Sequence, residues 1–286
     1  MIEIPEAYLL AEQINKTLIG KTIKSAAANT HPHGFAWYTG DPATYNERLA
    51  GKKITKAMAG MSESICGNKI RIFCEDMVLA ISTPIKYHTP GEVLPKSHQL
   101  LLEFDDSSHM SCTVQMWGGM LCLKMKEEGG LEGFVCNNCV SCGKDRPNPL
   151  MDEFDENYFD NLWQTSKQNL SAKAFLATEQ RIPGLGNGVL QDILFYAGIH
   201  PKRRLDSITQ IEKEKLYNSI KSTLKEMLLQ GGRDTEKDLF GKSGGYKTIL
   251  SKTTLPHPCP GCSGVIERKS FLGGNIYYCP VCQPLT

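Results

Sequence analysis

The chain has 286 residues, of which 41% are hydrophobic and 22% are charged, and its formal net charge is +1. This length suffices for two domains with a core each, and no apolar run is long enough to cross a bilayer, which excludes a helical membrane protein. The amino terminus lacks the basic start and apolar stretch of a secretory signal. We therefore expect a cytoplasmic protein, in which a total of eleven cysteines suggests metal binding before disulfide formation.

The chain opens with a predicted helix and continues as predicted strands. Pro5 suits a first helical position and Gly20 a helix end. The apolar residues that share one face of this helix are Ala7, Leu10, Ile14 and Leu18. The clearest strands are KIRIF (69–73), MVLAI (77–81), QLLLEF (99–104) and MLCLKM (120–125). Residues 1–130 are thus predicted to form a β-rich domain, a sandwich or a barrel, with a leading helix.

A second, helical lobe is predicted after an interdomain linker over residues 131–152, which is rich in glycine, proline and cysteine. Helical periodicity then predicts helices at about 155–166, 171–180, 188–197 and 208–230. These helices form a domain over 153–250, and a compact cysteine-rich unit follows over 251–286. The predicted fold class is α+β with two lobes.

Two CxxC pairs near the carboxyl end predict a metal site. Cys259 and Cys262 are separated from Cys279 and Cys282 by sixteen residues, the spacing of a four-thiolate zinc site. Four thiolates leave no open position for water, so the single zinc ion is expected to be structural. The residues between the pairs, 265–278, are predicted to form a β-hairpin with its tip at residues 273–274. The alternative is four unrelated reduced cysteines.

A further cysteine cluster lies in the linker. Cys136, Cys139 and Cys142 form a CxxCxxC pattern that can present three thiolates to a second metal ion or an iron–sulfur cluster. The candidates for a fourth ligand are Cys66, Cys74, Cys112, Cys122 and His109. A reduced loop that binds nothing is the alternative.

A glycine-rich turn joins two of the predicted helices. Gly184 and Gly186 permit tight backbone turns, and Asn187 precedes the next helix. Free N–H groups at a helix start favour an anion such as a DNA phosphate. Lys202 and Arg203 lie in the basic run HPKRR (200–204). The alternative is a plain connection in which Asn187 caps the helix.

These segments resemble one family. PGLGNGVLQDILFYAGIHP (183–201) resembles the helix–two-turn–helix of the formamidopyrimidine-DNA glycosylase / endonuclease VIII family, and CPGC…YYCPVCQ (259–283) resembles its zinc finger. The opening MIEIPEAY and the segment NPLMDEF (148–154) are also similar to that family. The resemblance implies a monomeric enzyme that kinks damaged double-stranded DNA, flips a base out and cuts its glycosidic bond, with strand cleavage by abasic-site lyase activity in many members.

The resemblance also implies roles for individual residues. The family's N-terminal proline amine attacks the sugar, and Ile2 occupies that place here. Glu3 matches the catalytic acid/base and Glu6 a second carboxylate, for which compensation of the helix dipole is the alternative. Lys69, or else Lys53, is the candidate for the lysine that contacts phosphate and sugar; a solvated strand residue is the alternative for Lys69. Asn187 matches a phosphate-binding asparagine.

The chain also departs from the family pattern where lesions are processed. The N-terminal proline is missing, and a primary amine on Ile2 requires removal of Met1. The expected arginine of the loop that fills the gap left by the base is absent from 115–119, where Met116 and Trp117 remain as apolar wedges. At the finger tip, Gly274 or Asn275 replaces an arginine.

Three functions therefore compete at this point. The first is a base-excision glycosylase, and the second is a DNA-damage binder that has lost its nucleophile. The third is a zinc-stabilised protein-interaction module, which the glycine-rich turn beside the basic run disfavours. We favour the glycosylase because Glu3 and Glu6 stand where the resemblance requires them.

Overall fold

The computed structural model describes residues 2–60, 70–126, 130–132 and 146–285. The helices within these ranges are α1 (Ile4–Thr17), α2 (Tyr45–Leu49), α3 (Glu156–Thr165), α4 (Ala172–Ala177), α5 (Val189–Ala197) and α6 (Gln210–Leu229). The strands are β1 (Ile23–Ala28), β2 (Ala36–Trp37), β3 (Ile54–Met58), β4 (Ile70–Cys74), β5 (Met77–Ile81), β6 (Ile85–His88), β7 (Leu100–Phe104), β8 (His109–Cys112), β9 (Gly118–Lys124), β10 (Glu267–Phe271) and β11 (Gly274–Tyr278). The two-lobed α+β fold, the leading helix and all four named strands agree with the sequence prediction.

The N-terminal lobe is a sandwich of two sheets. One sheet has the strand order β2-β9-β5-β4-β3 and the other the order β1-β7-β8-β6. Side chains alternate between buried and half-buried along β4 and β7, because one face of each strand meets the core. Strand β5 is buried throughout, since Leu79 belongs to the main core while Ala80 packs in a smaller cluster with Leu121 and Leu123.

The helices of the C-terminal lobe begin where local signals place them. The Asp155 side chain accepts a hydrogen bond from the Tyr158 N–H at the start of α3. Thr209 and Glu212 form a reciprocal capping box at the start of α6. An aromatic core that includes Phe159 and Phe175 holds these helices together. The four predicted helices are all present, each shortened by one to four residues at its ends.

Two segments cross between the lobes. Ile4 belongs to the core of the C-terminal lobe, although Ile2 belongs to the N-terminal core. In the opposite direction, Leu239 is fully buried in the N-terminal core. Its carbonyl accepts a hydrogen bond of 2.8 Å from the Tyr87 N–H, and its own N–H donates to Gln13 on α1. The lobes are therefore held together close to the start of the chain.

Strands β10 and β11 form the predicted antiparallel hairpin, in which Arg268 pairs with Tyr277. The hairpin packs against α5. Within the described ranges, no helix is long and apolar enough to span a membrane.

Candidate active site

The Glu3 carboxylate lies at the start of α5. Its two oxygens accept hydrogen bonds from the backbone N–H groups of Gly188 at 2.9 Å and Val189 at 2.8 Å. From the sequence we expect these N–H groups to be free for a DNA phosphate, and this expectation is wrong for Gly188 and Val189. An acidic side chain of the protein fills the position, because a helix start stabilises any suitably placed anion.

The glycines of the turn make room for this arrangement. A Cβ on Gly186 would lie 2.5 Å from Oε1 of Glu3, and a Cβ on Gly188 would lie 1.9 Å from Nη1 of Arg233. Gly184 has a φ of +78°, and its carbonyl accepts a hydrogen bond from the Ile4 N–H at 3.2 Å. The glycine-rich sequence thus lets the start of the chain and Arg233 approach α5 closely.

Arg233 is the buried centre of the site. Its Nε and Nη2 each lie 2.8 Å from an oxygen of Glu6, a bidentate pair, and its Nη1 lies 3.5 Å from Oε2 of Glu3. Glu236 stands 3.9 Å from Nη2 on the more exposed side. Three carboxylates therefore share one guanidinium, and we call these four residues the carboxylate–arginine cluster.

The charges of the cluster shift its pKa values in the expected directions. Burial alone would raise the pKa of Glu6, but the charge and hydrogen bonds of Arg233 outweigh it and hold the pKa below its usual range. Partial burial of Glu236, together with repulsion from Glu6 and Glu3, raises its pKa despite Arg233. Arg233 and Glu236 are not recognisable as site residues from the sequence, where nothing separates them from the other charges of the basic segment 233–286.

The Ile2 side chain lies beside this cluster and faces the N-terminal core. It is 5% exposed, and its backbone N–H donates to the Ser82 carbonyl at 3.3 Å. Ser82 is also bound to Gly119 at the start of β9, through its own N–H and through its hydroxyl. Met1 lies outside the described residues. The catalytic role of the Ile2 amine therefore stays a prediction.

An aromatic pair joins the loop that leads into β9 to strand β2. Trp117 and Trp37 have ring centroids 5.6 Å apart, and both side chains are partly exposed. Met116 is 72% exposed beside them. A Cβ on Gly118 would lie 2.8 Å from Cβ of Thr83, so the end of this loop has no room for a side chain at position 118. Gly119, two residues after Trp117, binds Ser82, whose carbonyl in turn accepts the hydrogen bond from the Ile2 N–H.

Asn187 connects the glycine-rich turn before α5 to the β10–β11 hairpin of the cysteine-rich unit, called the finger below. Its Nδ2 donates to the Asn275 carbonyl at 2.9 Å, and Gln191 one turn later donates to the same carbonyl at 3.1 Å. The Tyr277 N–H in turn donates to Gln191. The structure thus brings the predicted DNA-binding residues Asn187 and Asn275 into contact.

The basic residues differ in accessibility. Arg203 is 5% exposed, and its guanidinium binds Glu212 and the Ser207 carbonyl, so its side chain is turned inwards. Lys202 is half-buried, with Nζ 5.1 Å from the centre of the Phe271 ring on the hairpin. Lys53 is exposed at the edge of β3. The phosphate-contacting role of Lys69 falls outside the described residues.

The four cysteines of the CxxC pairs converge on one point. All four Sγ atoms lie within 4.8 Å of one another, with Cys259 to Cys282 at 3.7 Å and Cys262 to Cys279 at 3.4 Å. Zinc–sulfur bonds of about 2.3 Å in a tetrahedron place the sulfurs about 3.8 Å apart. The cluster therefore fits a four-thiolate zinc site. The CxxCxxC residues Cys136, Cys139 and Cys142 lie outside the described residues.

The comparisons with known proteins agree with this geometry. The profile of the formamidopyrimidine-DNA glycosylase H2TH domain matches residues 146–238. The formamidopyrimidine-DNA glycosylase of Bacillus cereus is 26% identical over 292 aligned residues, which cover 99% of both chains. The enzyme of the same name from Haemophilus influenzae is 36% identical over 142 residues, 48% of this chain and 51% of the relative.

Solved structures show the same fold. The MutM (Fpg) protein of Thermus thermophilus superimposes with a TM-score of 0.76 at 20% identity, over 98% of both chains. Lactococcus lactis Fpg in complex with DNA that contains an N7-benzyl-Fapy-dG superimposes with the same TM-score at 21% identity, over 99% of both chains.

Proposed function

Because this chain belongs to the formamidopyrimidine-DNA glycosylase / endonuclease VIII family, we propose that it is a base-excision DNA repair enzyme. It binds damaged double-stranded DNA and removes a damaged base, with abasic-site lyase activity as an accompanying reaction. The observation that carries this proposal is the joint placement of Glu3 on the start of α5 and of Asn187 against the finger hairpin.

The reaction that this geometry supports begins at the amino end of the chain. Once Met1 is removed, Ile2 offers a primary amine, which attacks C1′ of the sugar and releases the base. Glu3 follows Ile2 directly, so its carboxylate can move protons while the sugar ring opens. Met116 and Trp117 fill the space of the extruded base, since apolar wedges stabilise a kinked duplex.

The carboxyl-terminal thiolates have a structural part in this proposal. We infer that the four cysteines hold zinc, which fixes the hairpin so that Asn275 meets Asn187. The contacts of DNA with Asn187, Lys202 and Asn275 belong to the same proposal. So do a second metal on the linker cysteines, a monomeric state and residence in the cytoplasm.

A test combines protein chemistry with trapping. Mass spectrometry of the purified protein establishes whether Met1 is removed. Borohydride then traps any imine between the protein and a duplex that contains an abasic site. We expect an adduct whose yield falls in the Glu3→Gln variant and rises in Ile2→Pro, while Glu12→Gln, an exposed change on α1, leaves it unaltered.

A second candidate function is a damage-binding protein without catalysis. Ile2 favours it, because this residue stands in the place of the family's proline and its side chain is buried in the N-terminal core. Tight binding of abasic DNA without any adduct, and without release of a base from oxidised duplexes, would establish this function and refute the glycosylase.

A further inference from the structure

We propose that Arg233 is a positioning residue, which holds the Glu3 carboxylate in its working place at the start of α5. This inference rests on the proposed glycosylase function and deepens it. Arg233 lies 227 positions after Glu6 in the chain, on the segment that follows α6, yet it reaches the first turn of α1. It does not have to touch DNA, because it acts through Glu3.

The three guanidinium nitrogens of Arg233 divide between the carboxylates of Glu6 and Glu3. Glu6 receives the Nε and Nη2 of the guanidinium and also the backbone N–H of Arg233 at 3.3 Å. The remaining nitrogen, Nη1, faces Oε2 of Glu3. A structural pair between Arg233 and Glu6 would be complete without this contact. The third nitrogen therefore ties the position of Glu3 to that pair.

The Arg233 guanidinium and the Glu3 carboxylate both occupy the space beside Gly188. The guanidinium lies over Gly188, where a Cβ would lie 1.9 Å from its Nη1 and 3.0 Å from Oε1 of Glu3. No other residue type leaves this volume free. Gly188 also donates its N–H to Oε1 of Glu3. The turn thus accommodates the arginine and the carboxylate together, at one backbone position.

Arg233 also offsets the repulsion between the carboxylates of Glu3 and Glu6. Glu3 and Glu6 are three residues apart at the first turn of α1, so their side chains lie on the same side and repel one another. Both are buried, at 7% and 4% exposure, where such repulsion is weakly screened. Arg233 is fully buried between them and keeps them together. Without it, Glu3 would be expected to turn away from α5.

The experiment measures single-turnover formation of the trapped adduct on abasic duplex, alongside the dissociation constant for the same duplex. In Arg233→Gln we expect the rate to fall about 10²-fold, the usual contribution of a positioned acid/base, and the dissociation constant to stay within about threefold. In a Glu3→Gln background, Arg233→Gln should cost little more, because it acts through Glu3. Arg233→Lys, which keeps the charge but not the fork, should recover part of the rate.

Two further variants separate positioning from general stability. Lys213→Gln breaks the ion pair between another buried cation and the half-exposed Asp160 on α3, and it should leave the rate unchanged. If Arg233→Gln does not fold, the double variant Glu6→Leu with Arg233→Met replaces it. This variant removes the two opposite buried charges together and still leaves Glu3 without the Arg233 guanidinium. The double variant should then show the same loss of rate.

The outcomes distinguish this inference from the proposed function. Wild-type protein that binds the duplex but forms no adduct refutes the catalytic proposal and this inference with it. Wild-type protein that forms the adduct while Arg233→Gln keeps its rate refutes the positioning role alone. A full further loss on adding Arg233→Gln to Glu3→Gln does the same.

Discussion

The four cysteines of the CxxC pairs and the carboxylate–arginine cluster are built in opposite ways. The four cysteines come from a stretch of 24 residues, 259–282, and their spacing alone predicts that their Sγ atoms converge on one point. The cluster draws Glu3 and Glu6 from the start of the chain and Arg233 and Glu236 from the segment that follows α6. A local pattern predicts the first site, whereas only packing of the two lobes creates the second.

Helix α5 connects these two sites. Its first N–H groups bind Glu3, and Gln191 in its first half binds the finger hairpin. Beyond its carboxyl end, the Ile199 carbonyl accepts a hydrogen bond from Gln283, which follows the last cysteine. Movement of the finger and movement of Glu3 are thus expected to be coupled through one rigid element.

The largest expected effect follows removal of zinc. Structural zinc contributes about 10–16 kcal/mol of binding free energy in small fingers, so a chelator should unfold residues 259–282 while the N-terminal sandwich stays folded. Without the hairpin, Asn187 loses its partner and binding of damaged duplex should fall to the nonspecific level. Circular dichroism, metal analysis and DNA titration measure this.

Added zinc, but not added magnesium, should restore both the hairpin and DNA binding. The same metal analysis reports on the linker cysteines. One zinc per wild-type chain, with none in a Cys259→Ser variant, would refute a second metal at Cys136, Cys139 and Cys142.

The next effect lies in the carboxylate–arginine cluster. Glu6→Gln leaves the buried guanidinium of Arg233 without its main partner, and we expect the free energy of unfolding to fall by about 3–5 kcal/mol. Urea denaturation measures it. Glu12→Gln, in an exposed pair with Lys16, should cost less than about 1 kcal/mol. An equal cost for the two variants would contradict the buried pair.

The pH dependence of stability sharpens this prediction. Because Arg233 lowers the pKa of Glu6 in the folded state, the pair stabilises the protein above the ordinary pKa of 4.5, and this contribution is lost as the pH falls through the lowered value. The double variant Glu6→Leu with Arg233→Met should therefore lose less stability below pH 4.5 than the wild type does. Parallel acid denaturation curves would refute the assignment.

A smaller effect is expected where the second segment crosses between lobes. Leu239→Ala removes a fully buried side chain from the N-terminal core and should lower the free energy of unfolding by about 2–5 kcal/mol. The matched control is Leu229→Ala at the end of α6, where the side chain is 70% exposed and the expected cost is below about 0.5 kcal/mol. Similar midpoints in urea for both variants would show that Leu239 does not anchor the lobes.

The smallest effect concerns the contact between the two sites. Asn187→Ala removes one hydrogen bond to the Asn275 carbonyl, which Gln191 still binds, so stability should fall by only about 1 kcal/mol. Affinity for damaged duplex should fall more than stability, since Asn187 is proposed to bind phosphate. Titration with lesion-containing and undamaged duplexes checks this, and an unchanged affinity would remove Asn187 from the interface.

The amino-acid sequence by itself determined the features that depend on near neighbours. Continuous apolar runs indicated the strands β5 and β9, helical spacing indicated α3 to α6, and the two CxxC pairs indicated a metal site, because each of these follows from the period, length or reach of a short segment. Glu3 and Glu6 were also singled out as site residues, through resemblance.

Only the tertiary structure shows which hydrogen-bond and ion-pair partners those residues have. The sequence could not show that the Gly188 N–H at the start of α5 binds Glu3, because these two residues lie 185 positions apart. Nor could Arg203 and Arg233 be recognised as buried, since a charged side chain enters a protein interior only when folding supplies a carboxylate partner. For Arg203 that partner is Glu212 in the first turn of α6, within the same lobe. For Arg233 it is Glu6 on α1, which only the packing of the two lobes brings near.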